Sequence, residues 1–531
     1  MSSSANKKTI KKQLNENYKI LSKSHLNDLF NADKNRGKSF TTKLSNLFID
    51  FSKNHITKET LTLLLKYAET LNIKKSIDAM FSGKKINTTE ERAVLHYALR
   101  GKPEKIKGSE NSKIVKKMED ELKNIKKFTS LIHDKKLMGW TDKPLDTFVN
   151  IGIGGSDLGP KMVVNALNQY RKNKTRSFFI SNIDYEQIES LKRKINPETT
   201  LFIISSKSFS TVETITNANT IKSWMIESGC NNINRHFVIV SANQEAAKKF
   251  GIKKENLFQT WDCIGGRFSL WSAVGLPISL AIGFDNFERM LSGAYDVDEH
   301  FLNQPFEKNI PVTLALIDFW YINFFGSKTH AIIPYDESLK YLPSYLSQLF
   351  MESNGKSTDL YGEKIDHSTG AIVWGEVGTN SQHSIGQLLH QGKHIMPIDF
   401  LAPLSKKGDQ KHHELLLANC FAQSRALMQG YNNKKSYLHF DGNKPSTTIL
   451  YNELTPQILG SLLAIFEHRV FIQGLLLEIN SFDQFGVELG KKIALEISEI
   501  LEKNEININI DSSTKNLLDI YKESKKNDTK N

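Results

Sequence analysis

Near the middle of the chain, an arginine lies between two glycines and an apolar run, where residues 262–271 read DCIGGRFSLW. Arg267 directly follows a pair of glycines and directly precedes an apolar run. A guanidinium is a permanent cation, and a buried cation needs a partner, so this setting suggests that an anion binds there. The alternative is a loop arginine whose head reaches out to water. We favour the anion, because two further segments also point to an anionic ligand.

The first of these is a glycine-rich segment, NIGIGGSDLGP at 150–160, between a predicted strand and a predicted helix. It is not a dinucleotide-binding fingerprint, because Asp157 stands where the third glycine of GxGxxG belongs, and it lacks the Gly-Lys-Ser/Thr of a P-loop. The turn still offers backbone N–H groups around Gly155 and the hydroxyl of Ser156 beside a helix N-terminus, which suits an anion. A tight turn without a ligand explains the glycines equally well.

The second segment is rich in hydroxyl groups and reads SSKSFSTVET at 205–214. It connects a predicted strand to a helix that we expect to start near Val212. Hydroxyls and the unpaired N–H groups of a helix start can together bind a phosphate. The alternative is a capping box, with Ser210 or Thr211 as the cap and Glu213 or Thr214 following. One cap accounts for one hydroxyl and leaves the others unexplained, so phosphate binding is the favoured interpretation.

A carboxylate that could move a proton lies in MESNGKSTD at 351–359. Glu352 is predicted near the end of a helix that Gly355 terminates, with Gln348 one turn earlier on the same face. The helix dipole disfavours a carboxylate there, which suggests that Glu352 has a functional role rather than a stabilising one. The alternative is an ordinary solvated glutamate.

Other candidates lie further along the chain. His383, in GTNSQHSIG, is predicted in the first turn of a helix, where the dipole disfavours its cation and leaves a neutral ring able to relay a proton. We expect His390 to pack towards the interior. Gln484 and Lys491 are seven residues apart, so they would share a face if their segment is helical. The sequence has no HExxH pattern or carboxylate triad, so we expect no metal.

The elements that must position these groups form two α/β series. In the first, buried strands in TFVNIGIGG, SFFISN, TLFIISS and HFVIVSA alternate with helices near 160–171, 184–194, 211–228 and 243–250. In the second, a helix at 311–325 precedes strands in HAIIPY, AIVWGE and HIMPIDFLA, with helices near 341–354, 381–391 and 412–429. This alternation predicts parallel sheets covered on both faces.

The flanking regions are predicted to be helical. Residues 1–110 have apolar positions at helical spacing, and a capping box of Thr88 and Glu91 precedes an apolar face. Residues 460–500 are also strongly helical in pattern. The lysine- and asparagine-rich tail at 501–531 reads as an arm or a partly disordered end.

Composition narrows the class of protein. The 531 residues carry 70 Lys and Arg against 58 Asp and Glu, a net charge of +12 that suits a nucleic acid, an anionic membrane or a phosphorylated small molecule. No dense arginine patch is interleaved with aromatics, so we expect no nucleic-acid partner. The three cysteines (Cys230, Cys263 and Cys420) form no disulfide framework, which fits a reducing compartment. With neither a signal-peptide pattern nor an apolar run of membrane-spanning length, a cytoplasmic protein without a membrane partner is expected.

Two long motifs carry a resemblance to a known family. DCIGGRFSLWSAVG at 262–275 and GLLLEINSFDQFGVELGK at 474–491 closely resemble the two signatures of the glucose-6-phosphate isomerase (phosphoglucose isomerase) family. GIGGSDLGP, SKSFSTVET, MESNGK and GTNSQH follow in the family's order, so the resemblance covers residues 45–495. Ser208 and Ser210 replace a threonine found in many members, and Lys444 replaces a usual arginine. Residues 1–40 and the tail after 500 carry no match.

The resemblance implies an α/β fold with two αβα sandwich domains of the sugar isomerase (SIS) type, the smaller inserted in the larger. The expected domains are a helical N-terminal part of the large domain at 1–112, the small domain with the phosphate-binding loop at 113–282, the large domain at 283–495, and a C-terminal arm at 496–531. The family is usually dimeric, which implies a homodimer in which His383 serves the neighbouring subunit's site.

The resemblance also implies a reaction: glucose 6-phosphate and fructose 6-phosphate interconvert through a cis-enediol(ate), in glycolysis and gluconeogenesis, without a cofactor. Glu352 would be the base, Arg267 would stabilise the enediolate, and His383 and Lys491 would open the sugar ring. The implied substrate- and phosphate-binding residues are Gly155, Ser156, Ser206, Lys207, Ser208, Thr211, Gly266, Gln348 and Gln484. Gly265 and Gly266 would leave room for the sugar, and the apolar run after Arg267 would exclude water.

Three alternatives stay open at the level of sequence. A non-catalytic SIS-type sugar-phosphate-binding regulator would keep the phosphate loop. An isomerase of relaxed specificity would also accept mannose 6-phosphate, a reading that the serines at 208 and 210 permit. A basic nucleic-acid binder would show strongly salt-dependent retention on DNA.

Overall fold

The computed structural model describes residues 3–101, 106, 111–172, 174–405, 408–503 and 510–528. The chain divides into two compact units, 1–482 and 483–531. The domain boundaries at 112, 282 and 495 stay predictions. Parts of the predicted N-terminal helical region, 102–105 and 107–110, and of the predicted tail, 504–509 and 529–531, lie outside the described residues.

Strands and helices alternate through the first unit. The strands are β1 (Thr41–Leu44), β2 (Leu47–Lys53), β3 (Thr147–Ile151), β4 (Arg176–Ile180), β5 (Thr200–Ser205), β6 (Phe237–Ser241), β7 (Leu257–Gln259), β8 (Thr329–Pro334), β9 (Ile372–Trp374), β10 (Ile398–Pro403) and β11 (Ser446–Tyr451). The helices of this unit are α1 (Ser3–Leu21), α2 (Leu26–Ala32), α3 (Arg36–Ser39), α4 (Lys58–Thr70), α5 (Ile73–Phe81), α6 (Ser112–His133), α7 (Leu158–Ala166), α8 (Tyr185–Lys192), α9 (Val212–Glu227), α10 (Gln244–Lys248), α11 (Leu276–Ile282), α12 (Phe284–Asn303), α13 (Ile310–Asn323), α14 (Leu342–Asn354), α15 (Asn380–Ser384), α16 (Gly386–Gln391), α17 (Gln410–Gln429) and α18 (Pro456–Leu476).

The smaller sheet has five parallel strands in the order β4-β3-β5-β6-β7. Its central strands β3 and β5 are buried along their whole length, as expected for a parallel sheet covered by helices on both faces. All four strands predicted in the first series are confirmed, and only the short β7 was missed. Because the strands are parallel, the segments that follow β3 and β5 leave the same edge of the sheet.

The larger sheet has the order β1-β2-β11-β10-β8-β9, with β11, β10, β8 and β9 parallel and β1 and β2 antiparallel. The chain leaves this sheet after β2, builds the whole five-stranded sheet, and returns at β8. The predicted fold class, an α/β fold of two sandwich domains with the smaller inserted in the larger, is therefore confirmed. β8, β9 and β10 are confirmed as predicted, and β11 was not predicted from the sequence.

Two predictions for the N-terminal region are wrong. Residues 41–53 form strands rather than a helix, and Leu47, Ile49 and Phe51 are buried alternately along β2, a period-2 signal inside a segment read as helical. The capping box of Thr88 and Glu91 does not form. Glu91 has the left-handed backbone φ of 50°, incompatible with helix, and the following apolar residues form only a 3-10 turn, His96–Leu99.

A central helix, α18, is apolar on all sides. Among the described helices it alone has the length and apolarity to cross a membrane, and 94% of its most apolar window is buried inside the protein, as for a core helix. Despite this setting it carries three consecutive ionisable residues, Glu467, His468 and Arg469, all fully buried. Each is paired with polar groups from other elements, as buried charges must be.

The second unit contains α19 (Glu488–Lys503) and α20 (Ser512–Asp528). The helical prediction for 460–500 is confirmed except between the two helices, because α18 ends at Leu476 and α19 starts at Glu488. Gln484 lies before a 3-10 turn, Phe485–Val487, so it shares no helix face with Lys491. The glycine and asparagine of the intervening sequence were the signal that the helix stops. The described part of the tail is helical rather than irregular.

Candidate active site

A buried asparagine joins the two segments that leave β3 and β5. The side chain of Asn150, in the middle of β3, donates from Nδ2 to the carbonyl oxygen of Ser156 at 2.9 Å. Its Oδ1 accepts from the hydroxyl of Ser205, the last residue of β5, at 3.2 Å. The glycine-rich turn and the hydroxyl-rich segment are thus fixed to each other. Asn150 was not among the predicted site residues, although a polar residue within a buried apolar strand is a usable signal.

The glycine-rich turn packs backbone-to-backbone against the arginine segment. A Cβ at Gly155 would lie 2.2 Å from the carbonyl carbon of Gly266 and 2.7 Å from the amide nitrogen of Arg267, so only glycine fits. A Cβ at Gly266 would instead meet open space among the described atoms. Gly154 has a φ of 58°, which favours glycine as well. The two glycine motifs therefore build one surface, and Gly266 is open on the side away from Gly155.

The hydroxyl-rich segment does not form the capping box. Thr211 is the N-cap residue of α9, but its side chain makes no capping hydrogen bond. Its hydroxyl instead pairs with that of Ser206 at 3.2 Å, and the hydroxyl of Ser210 donates to that of Ser208 at 2.8 Å. The first N–H groups of α9 are therefore left without a side-chain cap. Hydroxyls clustered at an uncapped helix start suit a phosphate.

Lys207 ties this segment to the arginine segment. Its Nζ donates to the carbonyl oxygens of Asp262 at 3.1 Å and Ile264 at 3.3 Å. Its own carbonyl oxygen accepts from the Ser241 hydroxyl at 3.0 Å, at the end of β6. Burial lowers the pKa of Lys207, an effect that the Asp262 carboxylate partly offsets. The lysine side chain thus holds two loops together, and the role of Lys207 in phosphate binding stays a prediction.

Arg267 is buried, with 2% of its surface exposed. Its Nε donates to the Ser353 hydroxyl at 2.7 Å, and its Nη2 donates to the Ser481 carbonyl oxygen at 2.6 Å. The remaining terminal nitrogen, Nη1, lies 3.8 Å from Oε2 of Glu352. The alternative of a loop arginine that reaches out to water is wrong. Permanent neutral acceptors therefore hold the guanidinium in place.

Glu352 lies in the last turn of α14, as predicted. Gln348, one turn earlier, donates from Nε2 to Oε2 of Glu352 at 2.8 Å, which confirms that the two share a face. The Nε2 of Gln348 also lies 3.3 Å from where a Cβ of Gly154 would stand. Its Oε1 is buried without a hydrogen-bond partner among the described residues. The carboxylate, the guanidinium and the glycine-rich turn therefore meet at one place.

A second polar cluster lies behind the 3-10 helix, Gly266–Trp271, that carries Arg267. The indole N–H of Trp271 donates to Oε1 of Glu467 at 2.9 Å, and Arg100 donates to the other oxygen of that carboxylate. The guanidinium of Arg100 stacks on the Trp271 ring at 4.3 Å, and the His96 ring stacks on Phe268. The apolar run after Arg267 is thus anchored by buried charges that the sequence analysis did not connect to it.

Comparison with known proteins accounts for this arrangement. The family model described as phosphoglucose isomerase matches residues 50–518. A glucose-6-phosphate isomerase of Helicobacter pylori (strain P12) is 45% identical over 96% of this chain and 98% of that protein. One of Campylobacter jejuni subsp. doylei is 44% identical over 96% and 97%. A crystal structure of a glucose-6-phosphate isomerase from Chlamydia trachomatis superposes with a TM-score of 0.86 at 32% identity, covering 98% of each chain.

The chain belongs to the phosphoglucose isomerase family. It is therefore an enzyme, an aldose–ketose isomerase, and the alternative of a non-catalytic regulator is not supported. The phosphoglucose isomerase match extends beyond the predicted 45–495 at its C-terminal end, into the tail that showed no motif.

One residue that the phosphoglucose isomerase resemblance assigns to the site has no hydrogen bond to the other described site residues. His383 is exposed, and no described residue forms a hydrogen bond or ion pair with its ring. It lies in the helix α15, as predicted, but this helix has only five residues, so its first and last turns overlap and the dipole gives no argument for a neutral ring. Its segment is held in place, since Gln382 donates to the Tyr335 hydroxyl at 2.8 Å and His390 pairs with Gln423 at 2.7 Å.

Two further residues of the phosphoglucose isomerase signature, Gln484 and Lys491, belong to the second unit. Nζ of Lys491 donates to Oε1 of Glu488 at 2.9 Å, and both side chains are more than half exposed. Their roles stay predictions. The sequence analysis also missed Ser353 and Ser481. Ser353 lies in the motif MESNGK, but Ser481 binds through its main chain, which leaves no trace in the sequence.

Proposed function

We propose that this isomerase interconverts glucose 6-phosphate and fructose 6-phosphate through a cis-enediol(ate), with Glu352 as the base. The observation that carries the proposal is the meeting of Glu352 and Arg267 beside the glycine-rich turn that is joined to the hydroxyl-rich segment. A carboxylate, a fixed cation and a phosphate-binding loop are the three parts that a proton transfer within a sugar phosphate requires.

In the proposed step, the Glu352 carboxylate takes the proton from C2 of the open-chain aldose. The C–H electron pair forms the C1–C2 double bond, and the carbonyl oxygen at C1 becomes the enediol(ate) oxygen. The hydroxyl proton of the C2 oxygen passes to the C1 oxygen, and Glu352 returns its proton to C1 as the C2 oxygen becomes the ketone and the C1 oxygen a hydroxyl. General-base help of this kind is typically worth ~10²–10⁴-fold in rate.

Arg267 would stabilise the negative charge that develops on the enediol(ate) oxygens. Because Ser353 and Ser481 already fix its Nε and Nη2, the guanidinium needs no reorganisation when the charge appears. A guanidinium also keeps its proton, so it stabilises the intermediate without trapping it by protonation. The buried ring system behind it, with Phe268 and Trp271, would keep water away from the cation.

The phosphate group would lie at the start of α9. Hydroxyls of Ser206, Ser208 and Thr211, with Ser156 and the backbone of Lys207, would donate to its oxygens. The unpaired Oε1 of Gln348 would accept from a sugar hydroxyl, and Gln484 would contact the sugar or the phosphate. Gly266, open on the side away from Gly155, would let the sugar approach the backbone there.

Ring opening would need an acid at the ring oxygen and a base at the C1 hydroxyl. We assign these roles to Lys491 and to His383 of the partner subunit, in a homodimer. The exposure of His383 on an anchored segment supports a role across an interface. The three free thiols support a reducing compartment such as the cytoplasm, where the reaction would serve glycolysis and gluconeogenesis.

The proposal is tested by a coupled assay that converts the glucose 6-phosphate formed from fructose 6-phosphate into a spectrophotometric signal. We expect turnover of fructose 6-phosphate, and incorporation of one solvent deuterium at the carbon that receives the proton. Mannose 6-phosphate, assayed by chromatography, measures whether specificity is relaxed. Absence of turnover with fructose 6-phosphate would contradict the proposed substrate, and turnover with solvent exchange in a Glu352→Gln variant would contradict the proposed base.

A further inference from the structure

The second acceptor of Arg267 is a main-chain carbonyl in a segment without regular structure. Ser481 lies between the end of α18 and the 3-10 turn at 485–487, yet its carbonyl oxygen sits 2.6 Å from Nη2 of Arg267. A carbonyl in such a segment has no helix or sheet ladder to fix its direction. Something else must hold it if Arg267 is to keep one orientation during turnover.

The side chain of Asn354 fixes Ser481 in place. Its Oδ1 accepts from the Ser481 hydroxyl at 2.6 Å. Its Nδ2 donates to the main-chain oxygen of Val470 at 3.1 Å and to Oε1 of Gln473 at 2.6 Å, both on α18. The Val470 carbonyl can only accept, so the amide nitrogen of Asn354 must face α18 and the oxygen must face Ser481. Asn354 is completely buried, so no water competes for these bonds.

Two features of the structure support the hydrogen bond between Asn354 and Ser481. A Cβ at Gly474 would lie 1.9 Å from the Ser481 hydroxyl oxygen, so the glycine makes the room that the serine occupies. On α14, the base Glu352, the first arginine partner Ser353 and the holder of the second partner, Asn354, are consecutive residues. One turn of helix therefore sets the base and two acceptors of the guanidinium.

We propose that Asn354 is a positioning residue for the isomerisation, which acts through Ser481 to hold Arg267 beside Glu352. The inference rests on the proposed roles of Arg267 and Glu352 in the reaction. Asn354 touches neither the substrate nor the reacting atoms. It fixes the direction of the cation before the enediol(ate) forms, so its loss lowers the rate of the chemical step more than it weakens substrate binding.

The test is the near-isosteric variant Asn354→Asp, which replaces the donor amide by an oxygen that faces two acceptors on α18. We expect kcat to fall ~10–100-fold while KM changes less than about threefold, since only an interaction aimed at the transition state is disturbed. Ser481→Ala removes the same link from the other side with less disturbance, and should lower kcat in the same direction. An unchanged kcat in both variants would overturn the proposal.

Asn54→Asp is the matched control. Asn54 is also buried, and its amide donates to the carbonyl oxygens of Phe51 and Ser446, on the larger sheet. This variant should lower the melting temperature as Asn354→Asp does, yet keep the kcat of the folded protein. An equal fall of kcat in both variants would show that any buried asparagine matters equally, and would remove the positioning role.

A double-mutant cycle separates this inference from the proposed function. If Asn354 acts through Arg267, adding Asn354→Asp to Arg267→Ala should lower kcat by less than about threefold, because interacting residues are not additive. Full additivity in the cycle would overturn the positioning role while leaving Arg267 catalytic. A normal kcat in Arg267→Ala alone would instead overturn the proposed role of the arginine.

Discussion

The guanidinium of Arg267 lies 3.8 Å from the carboxylate of Glu352, measured from Nη1 to Oε2. The two groups come from distant parts of the sequence, yet a single residue connects them, because Ser353 follows Glu352 and accepts from Nε of Arg267 at 2.7 Å. Any movement of the last turn of α14 therefore moves the proposed base and the cation's anchor together. This coupling suits a step in which charge passes from the base to an intermediate beside the cation.

Replacement of Glu352 by glutamine should abolish isomerisation. The amide keeps the size of the side chain and the contact with Gln348 but cannot take the proton, so kcat should fall by at least ~10²-fold. The coupled assay measures kcat, and circular dichroism checks that the fold is retained. Glu337→Gln, at an exposed glutamate paired with Lys340, is the matched control and should keep wild-type kcat. Normal turnover by the Glu352→Gln variant would exclude this residue as the base.

Replacement of Thr211 by valine should weaken phosphate binding. Valine has the shape of threonine but lacks the hydroxyl that pairs with Ser206, so one donor to the phosphate is lost. A hydrogen bond to a charged group is worth about 1.5–3 kcal/mol, which predicts a rise in KM of ~10–100-fold with a smaller change in kcat. Inhibition by inorganic phosphate should weaken in parallel. Ser228→Ala, at the other end of α9, should leave KM unchanged. A loss confined to kcat would argue against phosphate binding at this hydroxyl.

Two inactive variants should restore activity to each other. If His383 serves the partner's site, a dimer of one Glu352→Gln chain and one His383→Ala chain contains one intact site and one doubly altered site. Random pairing of equal amounts should therefore recover about a quarter of wild-type activity. The measurement is the coupled assay after co-expression, with each variant expressed alone as control. No recovery, in mixed dimers whose formation is verified by differential tags, would place His383 and Glu352 in the same chain's site.

Stability should fall as the pH rises from 6.5 to 9 because of His330. Its ring nitrogens lie 3.4 Å from Asp318 and 3.2 Å from Asp399, and both carboxylates also bind Arg469. Burial opposes the charge of His330, but the Asp399 and Asp318 carboxylates outweigh it and raise the pKa of the ring to about 9. An unfolded histidine has a pKa of about 6.5. The contribution to stability is therefore complete below pH 6.5, declines as pH rises, and is lost above about 9.

The measurement is the free energy of unfolding by urea between pH 6 and pH 9.5. His330→Gln should remove the decline, and the difference between wild type and variant should change over this range by roughly 3 kcal/mol as an upper bound. His412→Gln, at an exposed histidine paired with Asp409, is the matched control and should keep the wild-type profile. Parallel profiles for wild type and His330→Gln would show that His330 carries no proton in the folded protein.

The sequence by itself determined the family, the alternation of strands and helices around both sheets, and most residues of the candidate site. These features are local: a buried parallel strand is a short apolar run, a glycine turn is a glycine cluster, and the shared face of Gln348 and Glu352 follows from helical spacing. The local errors also have local causes. The residues of β2 were predicted to be helical because the residues around them have helical spacing. The end of α18 was not predicted because apolar residues continue past it.

Tertiary structure alone decided what each site residue touches. No local pattern says that Gly155 packs on the backbone of Gly266, that a main-chain carbonyl at Ser481 binds Arg267, or that Glu467 of a core helix accepts from Trp271. Such contacts join residues up to 214 positions apart in the chain. A main-chain acceptor is present in every residue type, so the sequence does not indicate which one is used. The sequence thus specified which groups could do the chemistry, and the packing of α14, α18 and the arginine segment decided how they are held.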